Sequence, residues 1–109
     1  MVIYNVTSNM AQSLENSWLE WTREHIAQVL GTGLFMDARL TRVLVNEDDG
    51  SSTFSVQYKA SSREALEIYH EKYSESYIKL GHEKFGEQVL SFRTELELID
   101  EYRVTGNMN

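Results

Sequence analysis

At 109 residues the chain makes one domain, long enough to bury roughly 60–70% of the surface its unfolded form exposes. Hydrophobic residues at 41% and charged residues at 25% are those of an ordinary globular protein. A formal net charge of -7 argues against nucleic acid and against an anionic membrane surface, since both demand clustered Lys and Arg, and the lack of cysteine excludes disulfides and thiolate chemistry. No stretch approaches the roughly 20 apolar residues of a membrane span. The first seven residues lack a basic flank and a small-residue cleavage site, so they read as a strand, and a cytoplasmic protein is the expectation.

Residues 2–7 (VIYNVT) are β-branched and aromatic and predict an opening strand. Residues 8–12 form the turn, with Ser13 as N-cap of the helix that follows. Over residues 14–30, apolar positions 14, 18, 19, 21, 26, 29 and 30 share one broad face at about 100° per residue. Glu20, Glu24 and Gln28 fall opposite, and Gly31 and Gly33 end the helix. Residues 34–45 read as a long strand that turns through the polar Asn46-Glu47-Asp48-Asp49-Gly50 loop and returns as residues 52–60. Ser61 and Glu64 have capping-box spacing and open a second helix. Its Leu66, Tyr69, His70, Tyr73, Tyr77 and Leu80 occupy one sector, Gly81 breaks it, and residues 82–85 add a turn that Gly86 releases. Residues 88–100 predict the last strand, with Leu90, Phe92, Leu96 and Leu98 on one face. The domain then covers residues 1–102, and residues 103–109 are expected to be a flexible tail.

Two helices with one apolar stripe each must cover the same face of one sheet. The order gives an α+β, βαββαβ sandwich with a four-stranded antiparallel sheet and both helices on one side. Alternation assigns Asp37, Arg39 and Thr41, Ser55, Gln57 and Lys59, and Ser91, Arg93 and Glu95 to the other, polar side. Symmetric pairing about the loop sets Asp37 opposite Lys59 and Arg39 opposite Gln57. Such a face is either wet or half of a two-fold interface.

The opening MVIYNVT, the helix segment from Trp18 through Trp21 and His25 to Leu30, the strand Thr53 to Tyr58 and the closing Val89 to Thr94 carry a family resemblance. The chain resembles a small bacterial domain-of-unknown-function family, number 4286, over nearly its whole length, chiefly through the Trp-x-x-Trp-x-x-x-His-Ile segment. That resemblance implies a ferredoxin-like fold of the dimeric α/β-barrel type, two subunits joined sheet to sheet, and no established activity. Wider relatives of the architecture include cofactor-independent oxygenases, haem degraders, muconolactone-type isomerases and sugar mutarotases, with pockets between helices and sheet. The haem degraders resemble this chain in a strand-one asparagine, here Asn5, and a second-helix histidine, here His70. Their tryptophan lies on the second helix, whereas Trp18 and Trp21 lie on the first, so no cofactor is expected.

His25 is the sharpest candidate for chemistry. It falls between Trp18 and Trp21 at the edge of the apolar stripe, where an imidazole can have its pKa tuned for proton transfer, or can simply pack and hydrogen-bond a strand end. Tyr69, Tyr73 and Tyr77 with His70 can line a cavity for a planar molecule or pack as core. Trp18 and Trp21 can wall a ligand or a dimer contact, and Asn5 can anchor a ligand or join the polar face beside Thr7. His25, His70 and His82 lack paired metal-ligand spacing, and Glu47, Asp48 and Asp49 lack the length of a calcium loop, so no metal is expected.

Three functional expectations follow. The first is a homodimer of undefined role that binds a small molecule between helices and sheet. The second is a cofactor-independent oxygenase or isomerase acting on a small aromatic or carbonyl compound, with His25 as acid/base, Trp18, Trp21, Tyr69 and Tyr73 as walls and Asn5 as anchor. The third is a structural or regulatory dimer whose polar sheet face is the functional surface.

Overall fold

The strands β1 (Val2–Ala11), β2 (Phe35–Arg42), β3 (Ser51–Ala60) and β4 (Val89–Glu97) form one antiparallel sheet in the order β2-β3-β1-β4. The computed structural model describes residues 1–45 and 49–105. Helix α1 (Glu15–Gly31) joins β1 to β2. A second helical rod, α2 (Arg63–Tyr69), a π-helical turn (His70–Ser74) and α3 (Glu75–Phe85), joins β3 to β4. The βαββαβ order predicted from periodicity is therefore the observed one.

Strand β1 runs four residues past its expected end, because Ser8 to Ala11 pair with Phe54 to Ser51 of β3. Ladder pairing overrides the low strand preference of Ser and Asn. Ser13 is not a cap: it lies in a single 3-10 turn, Gln12–Leu14, and α1 begins without a side-chain cap bond. Glu15 anchors this end instead. Its carboxylate pairs with Arg42 at 2.6 Å and accepts from the Ser52 hydroxyl at 2.7 Å, and Arg42 in turn lies 4.7 Å from the Phe54 ring centre. Those bonds hold the Glu15 carboxyl below its ordinary pKa.

Asp37 does face Lys59, and Arg39 faces Gln57, with a bulge between Phe35 and Asp37. Of the polar loop only Asp49 and Gly50 are described; Asn46, Glu47 and Asp48 lie outside the described residues. So do residues 106–109 of the tail, while residues 103–105 are exposed and outside any helix or strand.

The second rod corrects two expectations. Its cap is Ser62, whose hydroxyl accepts the Ala65 N–H at 3.1 Å, rather than Ser61. The residue three beyond the true cap is alanine, so no glutamate reaches back and no capping box forms. Nor does Gly81 break the rod. Helix α3 continues to Phe85 and ends at Gly86, whose φ of 59° lies in the left-handed region that favours glycine. Gly81 is inside the helix because Trp21 of α1 packs on its bare backbone; a Cβ there would stand 3.4 Å from the indole Cη2.

The interior between helices and sheet is built from Tyr4 and Met10 of β1, Phe54, Val56 and Tyr58 of β3, Trp18 and Val29 of α1, Leu66 and Tyr69 of α2 and Phe85 of α3. On β4 the expected faces are reversed. Glu95, Arg93 and Ser91 pair with Tyr4, Val6 and Ser8, and directly paired residues share a side, so these three point toward the helices. Leu90, Phe92 and Leu96 lie on the open side opposite Asn9, Thr7 and Ile3, and are 58%, 67% and 43% exposed. The open face is thus polar across β2 and β3 and apolar along β4.

Candidate functional site

A cavity of about 210 Å³ lies between the helices and the sheet. Helix α1 contributes Trp18, Trp21, Thr22 and His25, four residues at helical spacing on its inward stripe. Helix α3 contributes Tyr77, Gly81 and Phe85, and the π-helical turn contributes Ser74. The sheet closes the floor with Tyr4, Ser8, Tyr58 and Ser91, and Arg93, an exposed residue, also lines the space. The space exists because small residues stand where a packed core would place large ones. Ser8 and Ser91 face each other across β1 and β4 with hydroxyls 2.8 Å apart, leaving a recessed floor.

The walls are aromatic and mutually fixed. His25 stacks on Trp21 at 4.8 Å with a 15° interplanar angle and meets Tyr77 edge-on at 5.0 Å. Phe85 abuts Trp21 edge-on at 5.7 Å, and Trp18 stacks on Phe54 at 5.1 Å. Tyr69, Tyr73 and Tyr77 form a ladder with ring spacings of 6.1 and 6.0 Å across the π-helical turn. Tyr69, Tyr73, Ser74 and Tyr77, on and around this wide turn, are all at least half-buried.

Burial, and secondarily the positive charge of Arg93, pushes the His25 pKa down to about 4. The imidazole is neutral at pH 7, with Nδ1 buried and, among the described residues, unpaired. The Thr22 hydroxyl is likewise buried and, among the described residues, without a partner. Burial raises the phenol pKa values of Tyr58 and Tyr69, so both stay protonated. The cavity therefore offers flat apolar walls with a few convergent polar groups, the usual anatomy of a small-molecule site.

Of the residues singled out in the sequence, Trp18, Trp21, His25 and Tyr69 come together around this space. Tyr73 stands behind its wall, in the ladder between Tyr69 and Tyr77. His70 is turned away, edge-on to Tyr4 at 5.2 Å, with Nε2 2.7 Å from a Glu95 carboxylate oxygen. Asn5 lies on the open side of the sheet, where its side-chain carbonyl accepts from Ser55 Oγ at 2.5 Å and its amide donates to Thr7 at 3.3 Å. Neither His70 nor Asn5 reaches the cavity.

Sequence reasoning missed Thr22 and Arg93. Thr22 is four residues after Trp18 and three before His25, so a polar residue inside the apolar stripe was its signal. Arg93 had none, because alternation alone placed it on the wrong side. Among the described residues no cluster of three or more His, Asp or Glu side chains is placed to hold a metal ion, and no helix is long and apolar enough to cross a membrane.

The profile of the DUF4286 family, described as a domain of unknown function, matches residues 1–99. No curated protein matches the chain. Among solved structures the chain is similar to a dimeric ferredoxin-like protein from an uncultured marine organism, with 14% identity over 95% of this chain and 100% of that one and a TM-score of 0.66. A second dimeric ferredoxin-like protein from an uncultured marine organism matches at 9% identity over 93% and 98% of the two chains, with a TM-score of 0.48. A de novo designed protein with a ferredoxin fold matches at 21% identity, 100% and 97% coverage and a TM-score of 0.44. The first likeness establishes the fold as ferredoxin-like.

Proposed function

Since the chain belongs to the DUF4286 family and holds an aromatic-walled cavity between its helices and sheet, we propose that it binds a small planar molecule there. The observation that carries this reading is the pair of unpartnered buried polar atoms, Thr22 Oγ1 and His25 Nδ1, on residues that line the cavity. Leaving such atoms unpaired costs roughly 1–3 kcal/mol each, and a ligand with matching groups recovers that cost. Binding is favoured over proton transfer by the low basicity of His25: a base with a pKa of about 4 is neutral but a poor proton acceptor at pH 7. A cytoplasmic setting belongs to the same reading, on an acidic chain with no cysteine.

The test is a thermal-shift panel of neutral monocyclic compounds (phenol, toluene and benzamide), with Gly81→Leu as a variant whose side chain displaces Trp21 into the cavity. Stabilisation of the natural chain that is lost in the variant supports the reading. No stabilisation by any of the three, nor by benzoate, at millimolar concentration overturns it.

The homodimer is a second reading, favoured by the apolar edge of the open face. Leu90, Phe92 and Leu96 are large and exposed on one side of β4, with Leu96 opposite the half-buried Ile3, and such a row of exposed apolar side chains is unusual unless covered. The solved structure with a TM-score of 0.66 is described as dimeric. Sheet-to-sheet pairing through this face leaves the cavity on the other side accessible.

A further inference from the structure

We propose that the ligand of this cavity is a monocyclic aromatic carboxylate, its ring against Trp21 and its carboxylate held by Arg93 and the Thr22 hydroxyl. The inference rests on the binding reading above and adds the ligand's charge and size.

Three observations lead to it. The chain carries 17 Asp and Glu residues against 10 Lys and Arg, yet no residue lining the cavity is Asp or Glu. In so acidic a protein a wall free of carboxylates leaves room for one from outside. The positive side chain that is present is also unclaimed. Arg39, Arg42, Arg63 and Arg103 each have an acidic partner within 4 Å; Arg23 and Arg93 have none among the described residues, and of these two Arg93 alone lines the cavity. Glu95, on the same side of β4, pairs with His70 at 2.7 Å. The charge of Arg93 still acts inward, on both His25 and Tyr69.

The polar residues lining the space are also of the right kind. The Thr22 hydroxyl, buried and unpartnered among the described residues, has a proton to donate, and Tyr58 and Tyr69 keep theirs. An ionised carboxylate is acceptor-only, with about four lone-pair sites, so a cradle dominated by donors matches it. Neutral His25 serves either way through Nδ1, donating to the carboxylate or accepting from a ring hydroxyl. Size sets the remaining limit. A cavity of roughly 150 Å³ holds benzene, so about 210 Å³ has room for one ring with one or two small substituents.

Benzoate and benzamide are nearly isosteric and differ in charge, which makes them the probes. The chain contains two tryptophans, Trp18 and Trp21, and both line the cavity. Their indole 1H–15N resonances in the full chain at pH 7 report binding directly. The expected result is benzoate binding about ten-fold or more tightly than benzamide, with Arg93→Gln bringing the two within about two-fold. Thr22→Val, which keeps shape and removes the hydroxyl, should weaken benzoate about three-fold or more while leaving benzamide nearly unchanged. Equal binding of both probes overturns the carboxylate inference and leaves the cavity reading standing. A benzoate preference that survives Arg93→Gln overturns the role of Arg93. If neither probe moves either indole signal at tens of millimolar, both readings fall.

Discussion

Trp21 lies close enough to Gly81 that a methyl group in place of the glycine hydrogen would stand 3.4 Å from its Cη2 atom. That is ordinary contact, so alanine fits and anything larger must push the ring. Gly81→Ala is therefore expected to stabilise the fold by about 0.5–1 kcal/mol, through the smaller entropy of its unfolded chain in mid-helix. Gly81→Leu should destabilise it by about 1–3 kcal/mol through overpacking. Urea midpoints measure both, and a destabilising alanine would mean the indole cannot tolerate even that contact.

His25 gives the protein an acid limb of its own. The unfolded chain takes up the imidazole proton near pH 6.5, the folded chain only near 4. Between those values the unfolded state holds more protons, so stability rises with pH and is lost as the solution is acidified. This site should cost on the order of 2–3 kcal/mol as pH falls from about 6.5 to about 4. His25→Phe keeps an aromatic ring between Trp21 and Tyr77 and should flatten that part of the profile. Parallel urea-midpoint profiles for the two proteins at pH 7 and pH 4.5 would show that the imidazole is not held neutral.

The start of the second rod separates two adjacent serines. Ser62→Ala removes the hydroxyl that accepts the Ala65 N–H and should destabilise by about 1 kcal/mol. Ser61→Ala, at an exposed position outside the helix, should stay within about 0.5 kcal/mol. Thermal midpoints of the two variants decide between them.

Phe92 and Arg93 are neighbours in sequence and point to opposite sides of the sheet. If the open face pairs with a second copy, Phe92→Glu buries an uncompensated carboxylate and should weaken association by at least about 100-fold. Arg93→Glu, on the helix side, should leave the dimer intact. Light scattering after size exclusion at micromolar concentration distinguishes the two. A dimer retained in Phe92→Glu and lost in Arg93→Glu would place the contact on the other surface.

Periodicity made most of this fold readable, and its failures have particular causes. In α1 the apolar positions form one stripe, and Trp18, Trp21 and His25 fall where the sequence put them, because a helix has one apolar side and the core takes it. The same rule failed on β4. Alternation divides Leu90, Phe92 and Leu96 from Ser91, Arg93 and Glu95, but only pairing to β1 reveals which set faces the helices. The choice of the apolar set as inward was reasonable for a strand buried on one side and wrong for an edge strand with a second apolar surface. Gly81 was misread because its intrinsic helix-breaking tendency, worth about 1 kcal/mol, is outweighed by the packing of Trp21. The π-helical turn at His70–Ser74 left no mark in the spacing, since the tyrosines at 69, 73 and 77 look like regular helical repeats. Arg93 and the hydroxyl pair Ser8–Ser91 entered the candidate site only once the β1–β4 register was known.

The short 3-10 turn Gly86–Gln88 delivers the chain from α3 into β4, whose pairing with β1 sets which residues of that strand look inward. Because a strand's sides alternate with a period of two, a slip of one residue in that pairing would turn Phe92 into the cavity and Arg93 and Ser91 out of it. The side chains at Glu87 and Gln88 are exposed and make no part of either surface. The register they lead into is shared by both: that single slip would erase the cavity floor and the apolar outer edge together, so the two faces of β4 stand or fall as one.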